Sequence, residues 1–324
     1  MANNAKQSEI LFIWDCENSN PNGDMLNSNA PRYDEISRKA LVSYVRIKRT
    51  IRDDILTRKS AKYDIFVKEE KSVHSGLVDA KERAANILKE KPKDGDTLAW
   101  IIEKCVDVRA FGAVVPIEGK KDKTKKVEED AESDKKKESS VNLTGAIQFK
   151  MTKSLNECDV TFVKGTGGFA SKAGAENKTF REEYVLPYAV FATYGVINGF
   201  AAKETRLTEE DVNSITDSLW LGTKNLLTRS KMGQLPRFLL KIAFKENGYF
   251  LGELDNRVQI ATSKAASSEI RDINDYEIDL HNIAEAVKQN SAIIEKVEYI
   301  VDSRFKSRLK NLPSDWNEIA LGNC

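Results

Sequence analysis

Residues 10–24 read ILFIWDCENSNPNGD, a short apolar run that passes directly into a stretch of turn-forming residues. The β-branched and aromatic side chains of the run predict a buried strand, and the Asn, Pro and Gly residues after it predict a specialised loop. The next segment, residues 36–56, contains no Gly or Pro and spaces its apolar residues by three or four positions. This spacing predicts a helix of about five turns that begins near Ser37. Its expected apolar face comprises Leu41, Tyr44, Val45, Ile51 and Ile55.

The middle of the chain predicts a helical insertion and a charged loop. Residues 82–90 and 97–105 have helical spacing and are separated by the breaker KPKDGD. Residues 106–115 and 144–153 predict strands, and residues 118–139 between them carry nearly balanced Lys and acidic side chains without aromatics. Such a stretch buries too little apolar area to fold alone, so we expect a mobile surface loop with solvated lysines.

The second half of the chain predicts a protruding ribbon and the remainder of a mixed domain. Residues 160–184 place four glycines and several lysines between strand-like ends, which favours a flexible β-ribbon. The other predicted elements are strands at 185–201 and 235–244, an N-capped helix at 208–227 and a helical closing segment at 273–300. Without the insertions the order is β-α-β-β-α-β, that of the ferredoxin-like or RNA-recognition fold in the α+β class.

Composition excludes several classes of protein. The 324 residues include no run of eighteen apolar positions and begin with a polar segment, which favours a cytoplasmic protein without a membrane span or secretory signal. The four cysteines form no CxxC pair and the two histidines form no HxxxH or HxE motif, so neither a zinc site nor a disulfide framework is expected. GxxxxGK[ST] is missing, so nucleotide hydrolysis is unsupported. A net charge of +1 means that any nucleic-acid binding must come from local charge.

The predicted helix at residues 36–56 is the strongest candidate for such a local surface. Its cations are Arg38, Lys39, Arg46, Lys48, Arg49 and Arg52, and Arg58 follows just after it. They can contact phosphates while Ser43 supplies a neutral donor, although an ordinary solvated helix face has the same pattern. The loop before the helix, including Arg32, can turn backbone and Asn amides towards a phosphate or sugar, and it is equally compatible with an ordinary turn.

Two further groups of residues suggest chemistry. Lys164, Phe169 and Lys172 mix cations with an aromatic ring that can stack on bases, although a Gly-rich hairpin is more often structural. Four acidic residues lie close in sequence and are a possible divalent-ion site, namely Asp15, Glu17, Asp24 and Asp34. Their spacing is not DxDxDG, so polar loop residues are the simpler interpretation.

Five segments in consistent order resemble a known family. They are ENSNPNGD (17–24), PRYD (31–34), LVSYVRIKRTIR (41–52), DVRAFGAVVP (107–116) and TGAIQF (144–149). Together they resemble the backbone subunit of type I CRISPR Cascade complexes, the Cas7 family, and most closely the branch of subtypes I-B and I-C. The resemblance spans residues 10–244. TGAIQ replaces the more usual Gly-Pro-Val-Gln type of run, and the loop at 118–139 is unusually long and charged.

The resemblance implies a hand-shaped, non-catalytic subunit without cofactor or metal. A modified RNA-recognition palm would comprise residues 1–58, 106–159 and 185–324, with helical fingers at 59–105 and a β-hairpin thumb at 160–184. Copies would polymerise as a helical filament along the guide RNA (crRNA) and present it for pairing with a target DNA strand. Other implied partners are neighbouring copies of the chain and the remaining Cascade subunits: the large subunit, the small subunit, the 5′-handle-capping subunit and the crRNA-processing endonuclease.

The implied RNA-binding residues follow from matching positions in the quoted motifs and the ribbon. They are Asn20, Asn22, Arg32, Ser43, Arg46, Lys48, Arg49, Arg52, Arg109, Phe111, Gln148, Lys164, Phe169 and Lys172. Phe111 is also compatible with core packing.

Two other functions remain open from the sequence. Related backbone subunits of type III complexes cleave target RNA with a palm-loop aspartate, a role for which Asp24 or Asp34 is available. A free-standing RNA-recognition protein is the second alternative, and it would bind particular sequences as a monomer.

Overall fold

The central feature of the fold is strand β1, which lies between two long strands in a large, mainly antiparallel sheet.

The computed structural model describes residues 3–71, 76–118, 138–170 and 178–322. The strands are β1 Ser8–Ser19, β2 Gly23–Asp24, β3 Ala30–Pro31, β4 Tyr33–Asp34, β5 Lys39–Val42, β6 Gly112–Glu118, β7 Glu138–Thr144, β8 Ile147–Phe149, β9 Thr152–Ser154, β10 Thr161–Ala170, β11 Lys178–Ile197, β12 Gln234–Phe244, β13 Gln259–Thr262, β14 Tyr276–Asp279, β15 Ile294–Val301, β16 Leu309–Lys310 and β17 Asn317–Glu318. The helices are α1 Tyr44–Arg58, α2 Ala80–Leu88, α3 Thr97–Lys104, α4 Val106–Phe111, α5 Gly199–Thr205, α6 Glu209–Lys224, α7 Leu254–Arg257 and α8 His281–Gln289.

Strand β1 is buried on both faces, which explains why its sequence is continuously apolar rather than alternating. Its neighbours β11 and β12 both run antiparallel to it, and β11 also pairs with β8 and β9. Phe12 and Trp14 face a core formed with α1 and α6, whereas Leu11 and Ile13 face a second core formed with the C-terminal elements. The predicted strands at 10–15 and 235–244 are therefore present, and the fold is a mixture of sheet and helices as expected.

Helix α6 packs closely on α1 over the first core. Thr208 caps α6 through a reciprocal capping box with Asp211, which confirms the predicted helix start. Gly222 permits the close approach of the two helices, because a Cβ at this position would lie 3.0 Å from the backbone oxygen of Thr50. The sheet and α6 thus hold α1 in a defined position.

Helix α1 begins later than the spacing predicted. Residues Lys39–Val42 form β5, paired with β4 and β9, and Ser43 is the N-cap of α1. The expected apolar face is also wrong in its first half, because Tyr44 and Val45 are exposed and Ile47 is buried instead. A strand joined directly to a helix produces an apolar series that mimics one longer helix.

The segment at 106–115 was predicted as a strand, but α4 occupies its first six residues. Val106, Val108 and Ala110 are all buried, and a short buried run does not distinguish helix from strand. Gly112 ends α4 with φ of 78° and starts β6. The two predicted helices of the insertion are confirmed as α2 and α3, which share a small core with Phe66 and β6.

Two other segments also depart from the predictions. The closing segment at 273–300 is not one helix, because β14, α8 and β15 replace it. Asn290 ends α8, and β15 then pairs with β12. The predicted strand at 144–153 is divided into β8 and β9, which pair with different parts of β11.

The charged loop and the glycine-rich ribbon are described only at their bases. β6 and β7 pair from Gly112 opposite Thr144 to Glu118 opposite Glu138, and residues 119–137 of the predicted loop lie outside the described part. β10 pairs with the first part of β11, and residues 171–177 lie outside it. Within the described ranges, no helix is long and apolar enough to cross a membrane.

Candidate nucleic-acid interface

The N-terminus of α1 is held by the loop that follows β1. The side-chain oxygen of Asn22 accepts a hydrogen bond from the Ser43 amide at 2.7 Å, and Ser43 Oγ accepts one from the Arg46 amide at 3.3 Å. The backbone oxygen of Asn22 also accepts the Arg32 amide at 3.0 Å. Asn22 and Ser43 therefore organise this corner through bonds within the protein.

Arg46 projects from the first turn of α1 without a carboxylate partner among the described residues. Its Nε donates to the backbone oxygen of Pro21 at 3.1 Å, and its guanidinium also donates to Thr50 Oγ1. Burial, and secondarily the charge of Arg49, lowers the pKa of Arg46 to about 10, while Asp53 opposes the shift. Asp53 itself is bonded to Arg49.

Lys231 lies beside Arg46 and was not predicted from the sequence. Its Nζ donates to the backbone oxygen of Asn20 at 2.6 Å, and no carboxylate in the described ranges pairs with it. Burial lowers its pKa to about 8, with a further contribution from the positive charge of Arg46. A single Lys in a turn, 185 positions from Arg46, carries no local sequence signal that links the two.

Lys48 and Gln148 form a second polar position beside α1. Lys48 Nζ donates to Gln148 Oε1 at 2.8 Å and lies 5.4 Å from the centroid of the Phe111 ring. Burial, followed by the charge of Arg52, lowers the pKa of Lys48 to about 8. Gln148 is exposed and donates to the backbone oxygen of Gly145 at 3.0 Å. The structure thus brings two predicted residues, 100 positions apart, into direct contact.

Close backbone contact explains the glycines in the motifs around Gln148. A Cβ on Gly145 would lie 2.2 Å from the backbone nitrogen of Gly112, and a Cβ on Gly112 would lie 2.2 Å from the backbone oxygen of Leu143. Neither position has room for a side chain. The segments AFG and TGAIQ are therefore adjacent pieces of one surface.

Two of the predicted cations are exposed and ion-paired. Arg49 bonds Asp53 at 2.8 Å and Glu69 at 3.2 Å, and about half of its side chain is exposed. Arg32 lies 3.5 Å from Asp24. Exposed pairs of this type are weak, so both cations remain available to a phosphate.

Arg52 and Arg109 are instead buried within the protein. Arg52 donates to Asp107 at 2.9 Å, and Arg109 makes a two-pronged contact with Asp211, with both bonds at 2.9 Å. Phe111 is also buried, and the Arg52 guanidinium lies 5.1 Å from its ring centroid. These three side chains face the interior rather than solvent.

The remaining predicted residues have different surroundings. Asn20 is buried, and its Nδ2 donates to the backbone oxygen of Asn29 at 2.6 Å. Lys164 on β10 is exposed and lies 3.5 Å from Glu182 and 5.4 Å from the ring centroid of Phe162. The side chain of Phe169 and the whole of Lys172 lie outside the described residues.

Three of the four acidic residues near the first loop have separate partners, and the fourth, Glu17, is exposed. Asp15 is buried and accepts hydrogen bonds from Arg237, Tyr188 and Tyr276, and burial raises its pKa. Asp24 contacts Arg32, as described above, and Asp34 accepts from Ser37 Oγ at 2.6 Å. In the part of the chain that the structure describes, no three His, Cys, Asp or Glu side chains gather as a metal-binding group.

Comparisons with known proteins agree with one another. A family model described as CRISPR-associated protein Cas7 matches residues 6–281. The chain is 28% identical over 320 residues to the CRISPR-associated protein Cas7 of Haloferax volcanii, with 93% of this chain and 88% of the relative covered.

Two solved structures share the fold. One is titled as a CRISPR RNA-guided surveillance complex, pre-nicking, and matches with a TM-score of 0.53 and 12% identity over 97% of this chain and 96% of the other. The second, titled as a CRISPR RNA-guided surveillance complex, has a TM-score of 0.52 and 12% identity over 97% and 94% of the two chains. At this identity the likeness is one of fold alone.

Proposed function

The chain belongs to the CRISPR-associated protein Cas7 family, and from this membership we propose that it is a non-catalytic, crRNA-binding backbone subunit of a type I CRISPR interference complex. The observation that carries the proposal is the surface around α1, where Arg46, Lys48 and Lys231 have no carboxylate partner among the described residues. Cations that lack a carboxylate partner can form charge-assisted hydrogen bonds with phosphates. The two similar structures belong to CRISPR RNA-guided surveillance complexes, which supports the same choice of ligand.

The topology supports an RNA-recognition palm. The sheet contains the neighbours β12, β1, β11 and β8, all antiparallel, with α1 and α6 over one face. In chain order the first strand of this group is β1, the second β8, the third β11 and the fourth β12. Across the sheet they lie in the order β12, β1, β11, β8, or 4-1-3-2. This is the arrangement of a ferredoxin-like split βαβ fold. In this proposal α2 and α3 form the fingers, and β10 with the start of β11 forms the thumb.

The predicted RNA-binding residues divide into two roles in this proposal. Arg32, Arg46, Lys48, Arg49 and Gln148 contact the guide directly, because their polar groups reach the outside of α1 or the loop beside it. The buried and half-buried side chains of the set position these groups. They are Asn20, Asn22, Ser43, Arg52, Arg109 and Phe111.

Lys164, Phe169 and Lys172 remain thumb contacts in the proposal. Exposed Lys164 lies over the ring of Phe162, which places a cation and an aromatic ring together on β10. Such pairs suit single-stranded RNA, because every base offers a face for stacking. Contacts of this kind do not depend on the base sequence. A subunit that accepts any guide RNA requires this property.

Assembly with neighbouring copies is supported by exposed apolar side chains at the two ends of β1. Met25 and Leu26, 90% and 98% exposed, follow its C-terminal end. Phe200 and Phe250 are exposed near its N-terminal end, where β11 and β12 terminate opposite Ser8. Twelve residues of strand separate the ends by about 35–40 Å. Different surfaces at opposite ends favour a head-to-tail contact, which extends as a filament instead of closing.

The same proposal assigns the other partners. Guide bases left free between backbone contacts would pair with the target DNA strand. The assembled filament would contact the large subunit, the small subunit, the 5′-handle-capping subunit and the crRNA-processing endonuclease.

The test is native mass of the purified chain with RNAs of increasing length and unrelated sequence, at two salt concentrations. We expect the mass to rise by one subunit per fixed number of nucleotides, and binding to weaken as salt increases. One subunit per RNA with strong sequence preference would instead identify a free-standing RNA-recognition protein. RNA shortening that needs a divalent ion and is lost in Asp24→Ala or Asp34→Ala would identify a target-RNA-cleaving, type III-like subunit.

A further inference from the structure

We propose that Lys231 and Arg46 together bind one phosphate of the RNA backbone at the N-terminus of α1. Lys231 lies outside every motif that suggested RNA binding, and the inference rests on the proposed function for the identity of the ligand. The two cations donate to the backbone oxygens of consecutive residues, Asn20 and Pro21. They therefore lie side by side over the same short piece of chain.

Both side chains retain donors for a ligand. Lys231 Nζ has three donors, of which one is used by Asn20, and the Arg46 guanidinium has five, of which two are used by Pro21 and Thr50. The acceptors already present are neutral. A phosphate oxygen pair placed between the two cations would accept several charge-assisted hydrogen bonds at once.

Positive charge is concentrated here, and neither Arg46 nor Lys231 forms an ion pair with a carboxylate among the described residues. The first turn of α1 contains no acidic residue and instead contains Arg46, although a helix N-terminus carries a partial positive charge of its own. Lys231 adds a second cation. Burial lowers the pKa of both side chains, with a further contribution from the charge of Arg49 for Arg46 and from the charge of Arg46 for Lys231. An anion bound at this point would offset the positive charges of Arg46, Lys231 and the helix N-terminus.

The loop that carries Lys231 is fixed in place before any ligand arrives. The Lys231 amide bonds the backbone oxygen of Thr228 at 3.1 Å, and the Asn20 amide bonds that of Ser230 at 2.8 Å. Gly233, with φ of 97°, then brings the loop against the end of β1, where the Glu17 amide bonds its backbone oxygen at 3.1 Å. The cation is thus held by rigid elements, which lowers the entropic cost of binding.

The experiment measures binding of a short single-stranded RNA by fluorescence anisotropy as salt is varied between about 50 and 200 mM. The variants are Lys231→Gln, Arg46→Gln, the double variant and Lys231→Arg. Lys203→Gln, at an exposed position on α5 near the other end of β1, is the control for loss of one positive charge. Thermal unfolding of each variant shows that it folds.

We expect Lys231→Gln to weaken binding by about ten-fold and to reduce the slope of log K against log salt by about 0.7, the value for one single-strand phosphate. Lys231→Arg should stay within about three-fold of the parent chain, because the charge and donors are kept. The double variant should bind no more than about three-fold worse than the weaker single variant, since the two cations share one phosphate. Lys203→Gln should change nothing.

A second readout needs no substitution. Acetylation of lysines in the intact chain, followed by mass spectrometry, should show Lys231 protected by RNA and, at higher concentration, by inorganic phosphate, with Lys203 equally reactive throughout. If the parent chain binds RNA but Lys231→Gln retains affinity and salt slope, or Lys231 stays fully reactive, the site is refuted while the proposed function stands. If the chain binds no RNA but phosphate protects Lys231, the proposed function fails and the anion site stands.

Discussion

Arg52→Met is predicted to destabilise the fold, whereas Arg49→Met, three positions earlier on the same helix, is predicted to affect mainly RNA binding. Arg52 pairs with Asp107, whose side chain is 0% exposed, so its removal leaves a buried carboxylate without its cation. Such losses cost about 3–5 kcal/mol. Two backbone amides, those of Phe66 and Val67, still donate to Asp107, so we expect the lower value of about 3 kcal/mol. The exposed pair of Arg49 with Asp53 contributes less than about 0.5 kcal/mol.

The assay is thermal and urea unfolding of the full chain, together with RNA affinity for both variants. A loss of 3 kcal/mol corresponds to a melting temperature lower by about 4 °C for a chain of this size. The double variant Arg52→Met/Asp107→Asn should recover part of the loss, since the buried charge is removed with its partner. Equal melting temperatures for Arg49→Met and Arg52→Met would refute the division between surface and interior arginines.

Three further predictions concern binding, packing and assembly. Because burial and neighbouring cations lower the pKa of Lys48 and Lys231 to about 8, a bound phosphate must favour their protonated forms, and RNA affinity should fall as the pH rises through about 8. A titration showing constant affinity up to pH 9.5 would contradict this. Gly145→Ala should destabilise the fold by about 2 kcal/mol or more in urea unfolding, because its Cβ would lie 2.2 Å from a backbone nitrogen and the surrounding chain must shift. Leu26→Asp and Phe250→Asp should each reduce the number of subunits on a long RNA in native mass measurements, while affinity for an RNA that accommodates a single subunit stays unchanged; normal assembly by both variants would exclude the ends of β1 as contacts.

The sequence predicts best those elements whose signals are local. The apolar run at 10–15 is short, rich in β-branched and aromatic residues and followed by turn residues, which together favour a strand. Thr208 followed by acidic residues is a complete helix-capping signal. At residues 36–56 and 106–115 it fails, because the buried side chains of a strand joined to a helix form a series that either structure can explain. The partly buried strand β15 was missed for a related reason, since its pairing with β12 is set by tertiary contacts.

The candidate site was predictable in its outline but not in its division of roles. Sequence identifies α1 as rich in cations, yet it does not reveal which cations meet carboxylates from elsewhere. Asp107 comes 55 positions after Arg52, and Asp211 comes 102 positions after Arg109. Lys231 illustrates the converse, because its importance depends on a loop brought to Arg46 by the ends of β1 and β12.

A net charge of +1 is compatible with RNA binding because the structure neutralises some cations with buried acids and leaves others at the candidate surface without a carboxylate partner among the described residues. Arg52 and Arg109 are neutralised inside the protein, whereas Arg46, Lys48 and Lys231 meet only neutral acceptors in the described residues. A few uncompensated cations per subunit bind RNA weakly and lose affinity steeply with salt. In the proposed filament, contacts between copies on one RNA multiply that weak affinity through effective concentration. The affinity of each subunit should therefore rise steeply with RNA length, although the number of phosphate contacts that each subunit makes stays the same. Binding of each subunit independently of its neighbours would contradict the proposed filament.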